Sequence, residues 1–398
     1  MRNASRRWLP ALSVAILCAG QWACGPKAIK KESVLDTPEN HFSIGMRRLD
    51  SGNLAEARQA FTRAKQLDPK YAEADAGLGL VYAYEGNFDL AMKSVDEALG
   101  KNDKSVEARI IKGRIITMRV AGLQNDPEKN QEKINDWTRD AVEEFDRVLK
   151  LNPNSDKAHF YKGEAYKTAY QFGPAAEAYS RAIALKGEYA GRADAEYATM
   201  QKIQRAAPGT KIGMKIALIP EIDRADLAVL LLEELKLEEV FKKKQQPTYD
   251  TGFKAPTDPT KMEQPTVAAL PAVTDVANHW ARNWIQDIVR IGGMEVFPDH
   301  TFQPDVKITR ANYAQTMQAI LIAVTGDQSL KTKYIGGQSR FPDMRSDHFA
   351  YNAAALMAER GIMSADKITG AFNPEGHISG ADALLVIRDF QNALRLTF

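Results

Sequence analysis

Between residues 41 and 206, small and bulky apolar positions recur at helical spacing, with polar residues between them. Four segments align at a spacing of roughly 34 residues. The first carries Ile44-Gly45, then Ala57, Phe61, Ala64 and Pro69. The second carries Leu78-Gly79 and Tyr82, then Ala91, Val95 and Ala98. The third carries Gly113 and Ile116, then Ala141, Phe145, Val148 and Pro153, and the fourth Gly163 and Tyr166, then Ala175, Tyr179 and Ala182. A small residue followed four positions on by an aromatic or branched one puts both on one helix face. Each segment therefore predicts two antiparallel helices, with the Gly and the first Ala at their closest approach. Gly52-Asn53 and Gly86-Asn87 predict the tight turns inside the pairs. Asp68-Pro69 and Asn152-Pro153 predict the ends of second helices, because the residue before Pro is pushed out of helical geometry.

The third segment is interrupted. Its first helix is predicted from near Val106 and its second from near Asp136, and the polar stretch Gln124 to Gln131 predicts a lengthened first helix and a polar loop. Glu188 to Arg205 predicts a final helix covering the apolar side of the fourth pair, since end repeats need a cap. Ala207-Pro208-Gly209-Thr210 breaks the helical run. From 242 to 272, prolines at 247, 256, 259, 265 and 271 stand among Thr, Lys and Gln, a composition that predicts an extended linker.

The aligned segments resemble the tetratricopeptide repeat family. The resemblance implies a mainly α fold, a solenoid of helix pairs whose first helices line a concave face that binds an extended peptide or a helix of another protein. Arg47, Arg48, Asp75, Tyr82, Arg109 and Lys112, which lie off the packing pattern, are the candidate groove residues.

A second grammar follows. Thr274-Asp275 leads to His279-Trp280-Ala281, an amphipathic stretch to Ile291, Phe297-Pro298-Asp299, and Ile308-Thr309-Arg310-Ala311-Asn312. Phe341-Pro342-Asp343, Gly361-Ile362-Met363, Phe372-Asn373-Pro374 and Ile378-Ser379-Gly380-Ala381-Asp382 form a second copy, and Ile222-Asp223-Arg224-Ala225-Asp226 before the linker a partial third. Asp223, Thr309 and Ser379 predict helix N-caps, with Asp226, Asn312 and Asp382 three positions on. These stretches are similar to the S-layer homology domain, often three units in a pseudo-threefold, mostly helical cluster. The resemblance implies that Arg224 and Arg310 lie in grooves contacting anionic groups of a wall glycan, for which guanidinium geometry is suited. Trp280 matches the family's aromatic position and is the third glycan-binding candidate, with packing favoured over stacking on a glycan. The third unit has Gly380 where the Arg belongs, and Val296 and Ala365 stand where the family has glycine.

Arg2, Arg6 and Arg7 precede an apolar run from Trp8 to Gly20, too short to span a membrane comfortably, and Ala23-Cys24 follows. The layout is that of an export signal. It resembles a bacterial lipobox, with Gln21 where that family prefers Leu, and implies acylation of Cys24. Gly25 lacks the acidic character of an inner-membrane retention signal, which favours the outer membrane. Cys18 is lost with the signal, so the mature chain holds one cysteine and no internal disulfide.

The expected organisation is a signal over 1–23, a tether over 24–40, the repeat domain over 41–206, a degenerate S-layer-like segment over 207–241, the linker over 242–272, a unit over 273–325, an insertion over 326–340, and a second, degenerate unit over 341–398. A net charge of +2 argues against a nucleic-acid binder. The six histidines show no zinc spacing, and no phosphate loop or nucleophile elbow is present, so no catalytic residue, metal or cofactor is expected. The expectation is a non-catalytic lipoprotein of the outer membrane facing the periplasm. Its repeats would hold an unidentified envelope protein, its C-terminal units peptidoglycan or a wall-linked glycan, and its lipid the membrane. The alternative is a periplasmic chaperone-like assembly or secretion factor whose C-terminal units are purely structural.

Overall fold

The computed structural model describes residues 28–124, 127–244 and 273–395. The expected export signal, Cys24 and nearly all of the expected linker lie outside the described residues. The described residues fall into two compact units, 28–169 with 184–189, and 170–183 with 190–395.

The first unit is built from α1 (Pro38–Asp50), α2 (Leu54–Leu67), α3 (Ala72–Tyr84), α4 (Phe88–Lys101), α5 (Val106–Leu123), α6 (Pro127–Leu151) and α7 (Asp156–Thr168). Gly52 and Gly86 take φ of 76° and 80°, and the Asn53 and Asn87 side chains accept the amides of Glu56 and Leu90 to start α2 and α4. Thr37, Ser105 and Ser155 cap α1, α5 and α7 in the same way. The fully buried Phe61 ring fills the space beside two glycines: a Cβ at Gly45 or Gly77 would stand 2.4 or 2.5 Å from it. Phe145 does the same beside Gly113, at 2.5 Å. At Gly79 the close neighbour is backbone, the Ala91 carbonyl oxygen, 2.9 Å from such a Cβ. Gly45, Gly77 and Gly113 thus admit rings, whereas Gly79 brings two main chains together.

The interruption in the third pair differs from expectation. The second helix begins at Pro127, not near Asp136, and runs for 25 residues. Proline is tolerated in a first helical turn, where its missing N–H has no partner to lose. The inserted polar residues extend α6 backwards rather than forming a long loop.

The second unit contains α8 (Phe172–Ala184), α9 (Ala190–Ala206), α10 (Lys211–Ala217), α11 (Arg224–Glu233), α12 (Leu237–Lys244), α13 (Arg282–Arg290), α14 (Arg310–Thr325), α15 (Tyr351–Glu359) and α16 (Gly380–Ala393). Among the described residues there is no strand, only the isolated bridges Asp223–Lys307 and Thr309–His377. At the centre, three isoleucines close a ring of main-chain hydrogen bonds. Ile222 N donates to Ile378 O (3.0 Å), Ile378 N to Ile308 O (3.2 Å), and Ile308 N to Ile222 O (3.0 Å). Each isoleucine stands just before the N-cap of a helix, Asp223, Thr309 or Ser379, whose side chain accepts the amide three residues on. The partial third copy of the motif is therefore a full member of a pseudo-threefold centre.

Helix α9, expected as a cap on the fourth pair, packs along α16, with Lys202 Nζ 2.8 Å from Asp382 Oδ1. It also reaches α8, where Gln204 Nε2 donates to Phe172 O at 3.1 Å. The segment 326–340 holds a short 3-10 turn fastened by Asn352, whose Nδ2 donates to the Leu330 and Lys331 carbonyls.

Candidate functional site

Two grooves repeat one construction. In the first, the Asp275 carboxylate accepts the amides of Phe302 (2.8 Å) and Gln303 (2.7 Å). This holds the loop 295–302 so that its carbonyls face Arg224. Arg224 Nε donates to Phe302 O at 2.7 Å and Nη2 to Glu295 O at 3.0 Å. In the second groove Asp343 accepts from Phe372 (2.8 Å) and Asn373 (2.6 Å), and Arg310 donates to Phe372 O and Ser364 O, both at 2.8 Å. Gln303 and Asn373 both adopt left-handed backbone, φ 55° and 57°, directly after the held phenylalanine.

Among the described residues neither guanidinium has a carboxylate within salt-bridge distance. Burial lowers the pKa of both, opposed at Arg224 by Asp275 and at Arg310 by Asp382 and Asp343. A half-buried guanidinium bonded only to neutral carbonyls keeps its charge uncompensated, and N–H groups remain to take an anion. The grooves differ at the rim. Arg224 lies 4.6 Å from the Phe302 centroid and 4.9 Å from that of Phe297. Arg310 has Phe372 at 4.8 Å. Asp366, whose amide pairs with Ala371 O as that of Phe297 pairs with Thr301 O, is the counterpart of Phe297 along the loop.

The third position is filled from within the chain. Gly380 N donates to Ile219 O at 2.9 Å, and a Cβ at Gly380 would stand 1.8 Å from Ile216 O. Helix α10 and the residues after it occupy the space, so the missing arginine has no groove to line. Further along α16, Arg388 Nε and Nη2 donate to Ala206 O (3.1 Å) and Ala207 O (3.0 Å). The same two-carbonyl grip thus recurs from another helix position. Its carbonyls lie about 180 residues away in sequence, and no local signal marks it.

Trp280 is 52% exposed, contrary to the expectation that it is packed. It opens on a cavity of about 290 Å³ shared with Asp223, Asp226, Lys307, Lys215 and Ile216, and not with Arg224. Burial, with the neighbouring Asp223 charge, pushes the Asp226 carboxyl up to about 6. Phe349, 66% exposed, is the counterpart of Trp280: His279 Nδ1 accepts from Ala281 N and His348 Nδ1 from Ala350 N, each at 3.2 Å. Sequence reasoning missed it because His348-Phe349-Ala350 sits one residue further from its aspartate than His279-Trp280-Ala281 does.

The six groove candidates of the first unit are not gathered at one place. Asp75 is 2% exposed and ion-paired to Lys65 of α2 at 2.6 Å and to Lys101 of α4. Arg109 meets Glu144 of α6 at 3.0 Å, and Lys112 meets Asp96 of α4 at 2.9 Å. Tyr82 lies under the Arg58 guanidinium, 4.9 Å from its ring centroid, and Arg48 pairs with Glu56 at 2.9 Å. Arg47 is exposed and, among the described residues, has no ion-pair partner. Five of the six therefore tie first helices to second ones. A residue the pattern did not single out, Arg114, is 8% exposed and 4.5 Å over the Tyr161 ring, and its Nη1 has no hydrogen-bond partner among the described residues.

A tetratricopeptide repeat family model matches residues 42–109 and 135–193. An S-layer homology domain model matches 274–314 and 340–384. The chain carries tetratricopeptide repeats followed by S-layer homology domains. Tetratricopeptide repeats bind proteins, S-layer homology domains associate with the cell envelope, and neither is a catalytic family. The second S-layer homology match contains Gly380 and Phe349, while the 222–226 copy lies outside both matches. Two solved structures are similar to the chain. TTC0263, a thermophilic repeat protein of Thermus thermophilus, is 16% identical, covers 49% of this chain and 91% of its own, and has a TM-score of 0.36. Pseudomonas aeruginosa pilF is 19% identical, covers 44% and 93%, and has a TM-score of 0.22. No curated protein matches.

Proposed function

We propose that this protein is a non-catalytic scaffold of the outer membrane that faces the periplasm, acylated at Cys24. In this reading the tetratricopeptide repeats hold a protein partner and the S-layer homology domains hold peptidoglycan or a wall-linked glycan. The observation that carries it is the repeated groove, in which Arg224 and Arg310 are fixed by carbonyls and lack a carboxylate partner among the described residues. A glycan carboxylate or phosphate would supply the missing charge. Tethering at two points raises the local concentration of each binding surface, so modest single contacts suffice.

The test is co-sedimentation of the mature chain with purified sacculi. Arg224→Gln/Arg310→Gln is expected to lose most binding while keeping its helical circular dichroism. Arg224→Gln alone is expected to cost more than Arg310→Gln, because Arg224 has Phe297 and Phe302 beside it and Arg310 has Phe372. Retained binding in the folded double variant would exclude these grooves.

A second reading is an assembly or secretion factor whose S-layer homology domains are purely structural. The carbonyl bonds of the two arginines favour it, since they join neighbouring units with no ligand. So does the filled third position at Gly380. A folded wild-type chain that leaves sacculi in the supernatant would select this reading.

A further inference from the structure

The segment from Ile29 to Asp36 is fastened to the repeat unit. Ile29 N donates to Gln66 O at 3.0 Å. Seven residues on, the Asp36 carboxylate is grasped by Arg63, by the Glu32 amide at 2.8 Å and by His41 Nε2 at 2.7 Å. The Arg63 hydrogen bonds, with the Glu32 amide, hold the Asp36 carboxyl well below the usual range. Arg63 and Gln66 are three positions apart on α2, hence on neighbouring turns of one face. The two bonds therefore staple a small loop to that helix, closed at its base.

The tip of this loop is unusual for a water-facing surface. Val34 is 92% exposed and Leu35 73%, Ile29 at the base is 39% exposed, and Lys30 and Lys31 are exposed beside them. Adjacent, largely exposed aliphatic residues with two exposed lysines on the N-terminal side of the same loop, whose acidic residues Glu32 and Asp36 are engaged by Arg63, suit the headgroup boundary of a bilayer, which takes apolar side chains inward and ammonium groups at the anionic surface. The chain length agrees. Four residues stand between Cys24 and Ile29, and five backbone steps cover at most about 3.6 Å each, so the Ile29 main chain lies within about 18 Å of that of Cys24.

We infer that the loop 29–36 is a membrane-contact element: Val34 and Leu35 insert at the lipid surface and Lys30 and Lys31 meet anionic headgroups. The repeat unit is then held at the bilayer in a set orientation rather than on a free tether. The placement rests on the reading of Cys24 as the acylated residue, whereas the contact chemistry does not.

The test uses the mature chain with Cys24→Ser, which cannot be acylated, and vesicles of phosphatidylethanolamine with a minority of phosphatidylglycerol. Bimane is attached through Val34→Cys and, in a separate control, through Leu151→Cys, another exposed aliphatic position of the same unit. Vesicles are expected to shift the emission of the label at 34 to the blue and to leave that at 151 unchanged. In the unlabelled chain, Val34→Asp/Leu35→Asp should weaken vesicle binding at least about tenfold, and Lys30→Glu/Lys31→Glu should weaken it most at low salt. Equal shifts at 34 and 151 would overturn the inference. So would an acylated chain, anchored in vesicles through Cys24 and labelled at 34, whose emission does not change. Incorporation of an alkyne fatty acid at Cys24 is scored separately, so failure of the anchor and failure of the loop are told apart.

Discussion

The two compact units are held together by different means. In the first, helix contacts are completed by side chains: Phe61 stands against Gly45 and Gly77, and Phe145 against Gly113. In the second, the centre is closed by main chain, through the ring of Ile222, Ile308 and Ile378 and by arginines that grip carbonyls of neighbouring units. A contact made by a ring can be repeated wherever a glycine recurs, so the pattern survives an insertion such as the one that lengthens α6. A contact made by main chain depends on where three distant segments end up, so the space beside one of the three helix starts can be taken by other chain, as α10 takes that beside Gly380.

Substitutions should separate the two modes. The largest effect is expected at Phe61→Ala, which empties a fully buried site between two helix pairs. Loss of about 3–5 kcal/mol is expected in urea unfolding. Next is Gly380→Ala, whose Cβ would meet the Ile216 carbonyl oxygen, a neighbour that cannot rotate away. About 2–3 kcal/mol is expected, with increased hydrogen exchange at Ile219 and Ile222. A loss under about 0.5 kcal/mol would mean that the main chain at α10 yields, which would weaken the contrast between the units.

Asp226 gives an effect of intermediate size with a definite sign. Its folded pKa of about 6 lies above the ordinary value of 3.8, so the folded state keeps a proton that the unfolded chain has lost. That contribution is fully present below about pH 4 and is lost as pH rises through about 6, on the order of 2–3 kcal/mol. Denaturation midpoints measured from pH 4 to pH 7 should fall across this window, and Asp226→Asn should flatten the slope. The smallest effect is expected at Lys202→Ala. Its partner Asp382 is half-exposed, and the change in stability should stay below about 0.5 kcal/mol and vanish in high salt.

What could be read from the sequence follows the range of the interaction involved. Helix starts at Asp223, Thr309 and Ser379 were legible, because an N-cap and its amide are three residues apart. So were the turns at Gly52 and Gly86. The start of α6 was not, because Asn125 to Gln131 reads as polar loop unless Pro127 is taken as a first helical residue. The exposure of Trp280 depends on which residues surround it, and its neighbours Lys215 and Ile216 come from a segment more than 60 residues earlier. Gly380 looked like a lost arginine; its cause, the Ile216 carbonyl, is more than 160 residues away. The commitment of Asp75, Arg109 and Lys112 to ion pairs is equally non-local, since each partner sits on a different helix.

The isoleucine ring also dictates an order of events. Its three members are spread over more than 150 residues, and the last, Ile378, lies close to the end of the chain. A polypeptide delivered N-terminus first can complete the helix pairs of α1 to α7 as each emerges, from contacts near in sequence. The ring cannot close until residue 378 has arrived, and contacts of such long range form slowly. Until then, apolar helices such as α11 and α14 lack their partners, so the segment around Ile378 acts as the latch of the second unit. Translation that stops shortly before residue 378 would release a chain with a finished repeat unit and an open, association-prone second half.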